Sequence, residues 1–154
     1  MIDRKAIEDA AQAAVAGTPL MVVQVRVSTD NVVEVDIDSM NDVTIDDCVR
    51  VNDAILAAVD RDVEDYELTV GSYGLTSPLL LPQQYVKNIG NEVEVLTANG
   101  RKLHGTLTAA TGTDFTIEIA TKVKNPGDKR PHIEMQPTTL QYNEIKYTKY
   151  IINI

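Results

Sequence analysis

Between Val15 and Leu20 the spacing of apolar residues changes from helical to alternating, and this change constrains the first half of the chain most. Ile7, Ala10, Ala11, Ala14 and Val15 follow the i, i+3, i+4, i+7, i+8 pattern of one helix face, with Asp3 placed to cap its start. Gly17 and Pro19 end that helix. From Leu20 to Ser28 the period is two, with Val23, Val25 and Val27 on one face and Gln24, Arg26 and Ser28 on the other. After Thr29-Asp30-Asn31, a second run sets Val33, Val35 and Ile37 inward and Glu34, Asp36 and Asp38 outward. So short a polar link between alternating runs predicts a hairpin. Thr44-x-x-Asp47 resembles a capping box, with Val43 and Cys48 at the positions of a hydrophobic staple. The helix it opens carries Cys48, Val51, Ile55 and Val59 on one face, and a third alternating strand carries Tyr66, Leu68 and Val70. The order α-β-β-α-β predicts a small sheet with helices packed on one side.

The second half changes character. Residues 77–84 contain two prolines, and the domain boundary is expected within them, giving an N-terminal α+β domain at 1–82 and a C-terminal domain at 83–154. Pro82 suits the start of a short helix ending at Gly90. Glu92–Thr97 alternates, Asn99-Gly100 is a strong hairpin signal, and Arg101–Ala109 returns with Gly105 as a bend or bulge. Phe115–Val123 reads as a further strand, followed by a loop from Asn125 to Pro131 and extended segments at His132–Met135 and Lys146–Ile154. Five short, tightly connected strands favour a closed or nearly closed barrel, because closure hides strand edges.

Charge divides at nearly the same place. Residues 1–86 hold 5 Lys and Arg against 16 Asp and Glu, a net of −11; residues 87–154 hold 9 against 7, a net of +2. An acidic half repels a phosphate backbone and attracts basic protein surfaces. In the second half, Lys87, Arg101, Lys102, Lys122, Lys124, Lys129 and Arg130 fall around the turns, where they could neutralise phosphates. The apolar runs are too short for a membrane helix, and the N-terminal segment lacks the apolar core of a signal peptide, so the cytoplasm is the expected location. One Cys and two His exclude a disulfide framework and a Cys- or His-rich metal site.

No catalytic constellation emerges. Ser72 in Val70-Gly71-Ser72-Tyr73-Gly74 lacks the Gly two residues before the nucleophile that a nucleophile elbow requires, which disfavours a hydrolase. Asp36-x-Asp38 followed by Asn41-Asp42 fails the register of a calcium loop. Cys48 reads as a small core residue, and His104 as a surface strand residue. The expectation is a binding protein with no cofactor, no metal and no catalytic residue.

Tyr66-Glu67-Leu68-Thr69-Val70-Gly71-Ser72-Tyr73-Gly74-Leu75-Thr76-Ser77-Pro78-Leu79 resembles the Tyr-x-Leu-Glu-Val-Ser-Ser-Pro-Gly-Leu-Asp-Arg-Pro-Leu stretch of the bacterial ribosome maturation factor RimP family. Val43-x-Ile45-Asp46-Asp47-Cys48 and Gly90-x-x-Val93-x-Val95 add to the resemblance, which covers nearly the whole chain. Tyr73 replaces the motif's Pro, and Thr76-Ser77 replaces its Asp-Arg pair. The resemblance implies an α+β domain joined to an Sm-like (SH3-like) β-barrel. It also implies a non-enzymatic factor that binds the immature small (30S) ribosomal subunit and helps it mature; a monomer is expected, and the charge division assigns a basic ribosomal protein to the acidic half and ribosomal RNA to the basic loops. Ser72, Gly74, Leu75, Asp36, Asp38, Arg101 and Lys102 are the expected partner-binding residues. A general Sm-like RNA-binding adaptor is the alternative, with a hydrolase using Ser72 a more distant one.

Overall fold

The computed structural model describes residues 1–152. The chain divides into two compact units, Met1–Gly74 and Leu75–Ile154. The prolines at 78 and 82 thus group with the second unit, and residues 75–82 with them.

The first unit contains α1 (Arg4–Val15), β1 (Leu20–Val27), β2 (Val32–Ser39), α2 (Ile45–Ala58) and β3 (Glu67–Ser72), in a sheet ordered β1-β2-β3. Asp3 accepts the Lys5 N–H at 3.0 Å and so caps α1. Thr44 accepts the Asp47 N–H at 3.1 Å while Asp47 accepts the Thr44 N–H at 3.0 Å, a reciprocal capping box at the start of α2. The Asp47 carboxyl is held below the usual carboxylate range by its hydrogen bonds with the Thr44 backbone N–H and side chain, with Arg50 adding to them. β1 and β2 pair antiparallel, whereas β2 and β3 pair parallel, as a crossover through α2 allows. Ile7, Ala11, Val15, Val51 and Ile55 of the helices meet Val25, Val33, Val35 and Ile37 of the sheet in one core.

One expected alternation is interrupted. A register shift between Val22 and Gln24 inserts Val23 as an extra residue, so Leu20, Val22 and Val25 join the core and Val23 is only half-buried. A bulge reverses the facing of every residue before it while leaving those after it in phase.

The second unit contains α3 (Pro82–Lys87), β4 (Glu92–Thr97), β5 (Lys102–Ala110), β6 (Asp114–Val123), β7 (His132–Gln141) and β8 (Ile145–Tyr150), with the 3-10 turn Tyr142–Glu144 before β8. Its sheet runs β7-β6-β5-β4-β8, antiparallel throughout. Among the described residues no sheet closes on itself. β7 and β8 are the two edges, because the turn at Tyr142–Glu144 delivers β8 to β4. The extended segment expected at Lys146–Ile154 is strand as far as Tyr150, and residues 153–154 lie outside the described residues.

Two local expectations for this unit are corrected. β7 does not stop at Met135; it continues through Pro137, opposite Glu118. The missing N–H of proline is tolerated on an edge strand, where it can point away from the neighbour. Gly105 is neither bend nor bulge, since it stays in register with Val93, and the shift lies between Leu107 and Ala109. Gly is needed at 105 because a Cβ there would stand 2.6 Å from the backbone oxygen of Glu118. The Asn99-Gly100 hairpin joins β4 and β5 as expected. Of these two residues Gly100 alone has φ +90°, and its N–H bonds the Thr97 carbonyl at 3.0 Å, as in a turn finished by a left-handed glycine.

Val93, Val95, Leu107, Phe115 and Ile117 form the core, covered by Leu79 and Tyr85. The Tyr85 ring lies 4.8 Å from those of both Phe115 and Tyr142, and its hydroxyl hydrogen-bonds the buried Thr148 hydroxyl at 2.9 Å. Burial pushes the Tyr85 phenol up to about 12, against the opposing pull of the Thr148 bond, so it is neutral throughout the physiological range.

Two stability outcomes follow. Gly105→Ala should cost about 1–3 kcal/mol, the range for forcing extra carbon into packed space, read by denaturant unfolding. Tyr85→Phe should cost about 1–3 kcal/mol by orphaning the Thr148 hydroxyl, and adding Thr148→Val should recover much of the loss. No recovery in the double variant would mean that the bond contributes nothing.

Candidate functional site

The expected partner-binding residues fall in separate places. Ser72 ends β3, opposite Ile37, and Tyr73 still donates its N–H to the Ile37 carbonyl at 2.7 Å. Gly74 and Leu75 then leave the sheet, and Leu75 is 62% exposed. The motif Tyr66–Leu79 therefore begins in one unit and ends in the core of the other, where Leu79 donates its N–H to Thr148 at 2.8 Å.

Asp36 does lie on the polar face of β2, but it is not a free charge. Arg26 of β1 reaches both Asp36 at 2.8 Å and Glu34 at 2.6 Å, and it also bonds Gln24 at 2.9 Å. Asp38 accepts the Ser39 N–H at 2.8 Å. Beside Asp36 the Tyr73 phenol is raised, chiefly by burial and secondarily by the Asp36 charge, while Arg26 opposes both. The pairing of Arg26 extends to the whole first unit. All five of its Lys and Arg side chains, Arg4, Lys5, Arg26, Arg50 and Arg61, sit against carboxylates. The surplus acids set its outward field.

Sequence reasoning missed a second feature of this unit. Ile45 and Val49, one helical turn apart on α2, are 84% and 50% exposed, and Asp42, Asp46 and Asp53 are exposed near them in sequence. Their i, i+4 spacing on the helix face opposite Val51 and Ile55 was the available signal.

Arg101 and Lys102, grouped by the sequence, are separated by the structure. Arg101 lines a cavity of about 620 Å³ together with Leu103, Ile119 and Leu140. Lys102 lies on the other face, where its charge helps to hold the Glu94 carboxyl low. The main causes there are the bonds from Tyr147 at 2.7 Å and His104 at 3.1 Å. Lys149 stands 4.5 Å over the Tyr147 ring, completing a charged patch across β5, β4 and β8. His104 is a surface strand residue as expected, although it has an acidic partner that the sequence did not show. Lys122 and Lys124 belong instead to the far part of the β6–β7 hairpin, where β6 ends and the loop begins.

Cys48 is half-buried, and its thiol is pushed up by burial and by Asp47. A raised thiol is a poor nucleophile at neutral pH. Among the described residues no group of three His, Cys, Asp or Glu could hold a metal ion. Among the described residues no helix is long and apolar enough to cross a membrane.

Comparison with known proteins finds relatives along nearly the whole chain. Residues 10–76 match the RimP N-terminal domain. A ribosome maturation factor RimP from Porphyromonas gingivalis is 38% identical over 152 residues, which is 99% of this chain and 100% of the relative. Proteins of the same name from Christiangramia forsetii and Flavobacterium psychrophilum are 28% identical over 130 residues and 29% identical over 103, covering 84% and 67% of the chain. Identity at this level along the full length, with the motif at Tyr66–Leu79 in place, makes the chain a member of the ribosome maturation factor RimP family.

Proposed function

We propose that this protein is a non-catalytic, cytoplasmic and monomeric ribosome maturation factor that binds the small (30S) ribosomal subunit during its assembly. The observation that carries this reading is the whole-length similarity to a protein named for ribosome maturation, spanning both units. The Sm-like character of the second unit belongs to the same reading. Five antiparallel strands after a short helix support it, although the edges β7 and β8 are unpaired with each other.

The mechanism has two hands. The first unit, net −11, faces a basic ribosomal protein, with Ser72 and Gly74 at the exit of β3 contributing exposed backbone, and Leu75, the first residue of the second unit, contributes an exposed apolar side chain. Opposite charge raises the association rate and rejects acidic partners. The second unit, net +2, meets ribosomal RNA through Arg101 and Lys102. Holding both partners favours one arrangement of the immature subunit through differential affinity, which needs no bond chemistry.

Sedimentation tests the reading. Purified protein should comigrate with free small subunits and bind fully joined ribosomes poorly; equal binding to both, or binding to neither, overturns it. An esterase activity abolished by Ser72→Ala would point to the hydrolase instead.

Asp36→Asn with Asp38→Asn tests the acidic hand. The variant should associate several-fold more slowly at low salt and show a flatter salt dependence. Because Arg26 keeps Glu34 as a partner, and exposed pairs contribute only about 0–1 kcal/mol, the unfolding midpoint should barely move. The difference between variant and wild type should vanish near 1 M salt, where the screening length is about 3 Å. Unchanged kinetics at low salt would place the protein-facing surface elsewhere, first at Ile45, Val49 and Asp46.

A further inference from the structure

The cavity beside Arg101 is built differently on its two sides. Its deep side is apolar, because Leu103, Ile119 and Leu140 are half-buried and pack onto the second unit's core. Its outer side is polar and exposed, with Asn99, Arg101, Asn143 and Glu144 around the opening. The turn fixes the backbone at Arg101: its N–H bonds the Thr97 hydroxyl at 3.0 Å, and its carbonyl accepts the Thr97 N–H at 2.8 Å. The guanidinium itself has no ion-pair partner among the described residues, unlike every arginine of the first unit. One Glu144 oxygen accepts the Gln141 N–H at 3.2 Å, which leaves the carboxylate further capacity to accept. The Asn99 oxygen accepts from the Thr97 hydroxyl, so its amide N–H groups remain donors, and among the described residues the Asn143 side chain has no hydrogen-bond partner.

An apolar floor, amide and carboxylate groups at its edge, and one free guanidinium outside describe a particular ligand. A nucleobase has an apolar face and an edge of alternating donors and acceptors, and it is tethered to a phosphate. We propose that this cavity receives one unstacked nucleotide of a single-stranded RNA segment, with its base on Leu103, Ile119 and Leu140 and its phosphate at Arg101. Asn99 and Asn143 donate to base acceptors, and Glu144 accepts from a base amino group. A basic peptide is disfavoured here because it would bring like charge to Arg101, so the basic protein partner belongs to the first unit. The proposal rests on the ribosome-binding reading and specifies the RNA contact within it.

The test uses the full chain and a fluorescein-labelled single-stranded heptaribonucleotide of random sequence, followed by anisotropy across a salt series. Wild type should bind. Arg101→Gln should weaken binding about tenfold and reduce the log–log salt slope by about 0.7, one single-strand phosphate contact. Asn143→Ala should weaken binding while leaving the slope unchanged, because it removes a base contact only. Lys149→Gln, on the other face of the sheet, should change neither quantity. Circular dichroism melts identical to wild type confirm that the variants are folded, and Arg101→Lys offers a second charge-retaining probe that should restore the slope but only part of the affinity. Equal losses in Arg101→Gln and Lys149→Gln, or no loss in Asn143→Ala, would mean diffuse phosphate attraction and overturn the nucleotide site. If the heptamer does not bind although small subunits do, and subunit binding falls in Arg101→Gln, the cavity takes protein and this inference alone fails. Failure to bind small subunits at all would remove the ribosome-binding reading as well.

Discussion

An open five-stranded sheet cannot close its own core by hydrogen bonding, so something must cover the end that the strands leave bare. In the second unit this is Tyr85, carried by a helix of only six residues. So short a helix has little stability of its own, and its position must come from packing and polar anchoring. Gln84 supplies the anchor. It is fully buried, and its side-chain oxygen accepts the N–H groups of Leu80 and Leu81 at 2.8 and 3.1 Å, ahead of the helix that it belongs to. Asn88 donates its side-chain amide to the Gln84 carbonyl at 2.7 Å, tying down the other end. With its partners satisfied, this polar set can be buried without the several kcal/mol cost of orphaned groups, of order 1–3 each. The covering segment is therefore part of the second unit's core, which is why the compact unit begins at Leu75, ahead of both prolines. The cover serves the Leu107–Phe115 part of the core, while the Leu103–Ile119 part opens into the cavity beside Arg101.

Local rules were legible in the sequence wherever a short stretch decides its own conformation. Asp3 and the Thr44–Asp47 box cap their helices as the spacing implies, and the alternation of Val33, Val35 and Ile37 gives the buried face of β2. The sequence failed where a distant atom decides. Val23 is an ordinary strand residue until pairing with β2 leaves it unmatched. Gly105 looks like a strand breaker until Glu118 is placed against it, and Pro137 looks like a strand end until β7 is known to be an edge. In each case the missing information was which strand lies alongside. The candidate sites follow the same division. Arg101 and Lys102 could be seen as exposed basic residues, but adjacent strand positions face opposite ways, so only the sheet could assign one to the cavity and the other to the Glu94 patch.

The arrangement of ion pairs changes what the charge asymmetry means. A net charge of −11 could be an even scatter of acids and bases in which no region dominates. Here every base of the first unit is matched to a nearby carboxylate, so the unmatched groups are all of one sign. Each pair contributes little to stability at such exposure. Their effect is on the field, because a paired cation no longer competes with an approaching basic partner, and the remaining acids act together over a range of about 8–10 Å in physiological salt. Asp36 and Glu34 share the single charge of Arg26 and so keep one net negative charge between them, while Asp42 and Asp46, exposed and near Ile45 in sequence, keep theirs in full. The second unit inverts this pattern: among the described residues most of its Lys and Arg side chains, Arg101 included, have no carboxylate partner, and Arg101 stands above an apolar floor. An isolated cation over a cavity attracts one anion to one place, whereas a diffuse acidic surface attracts many orientations of a basic partner. The first arrangement favours one contact geometry and the second tolerates many, so the two units differ in charge pattern as well as in net charge.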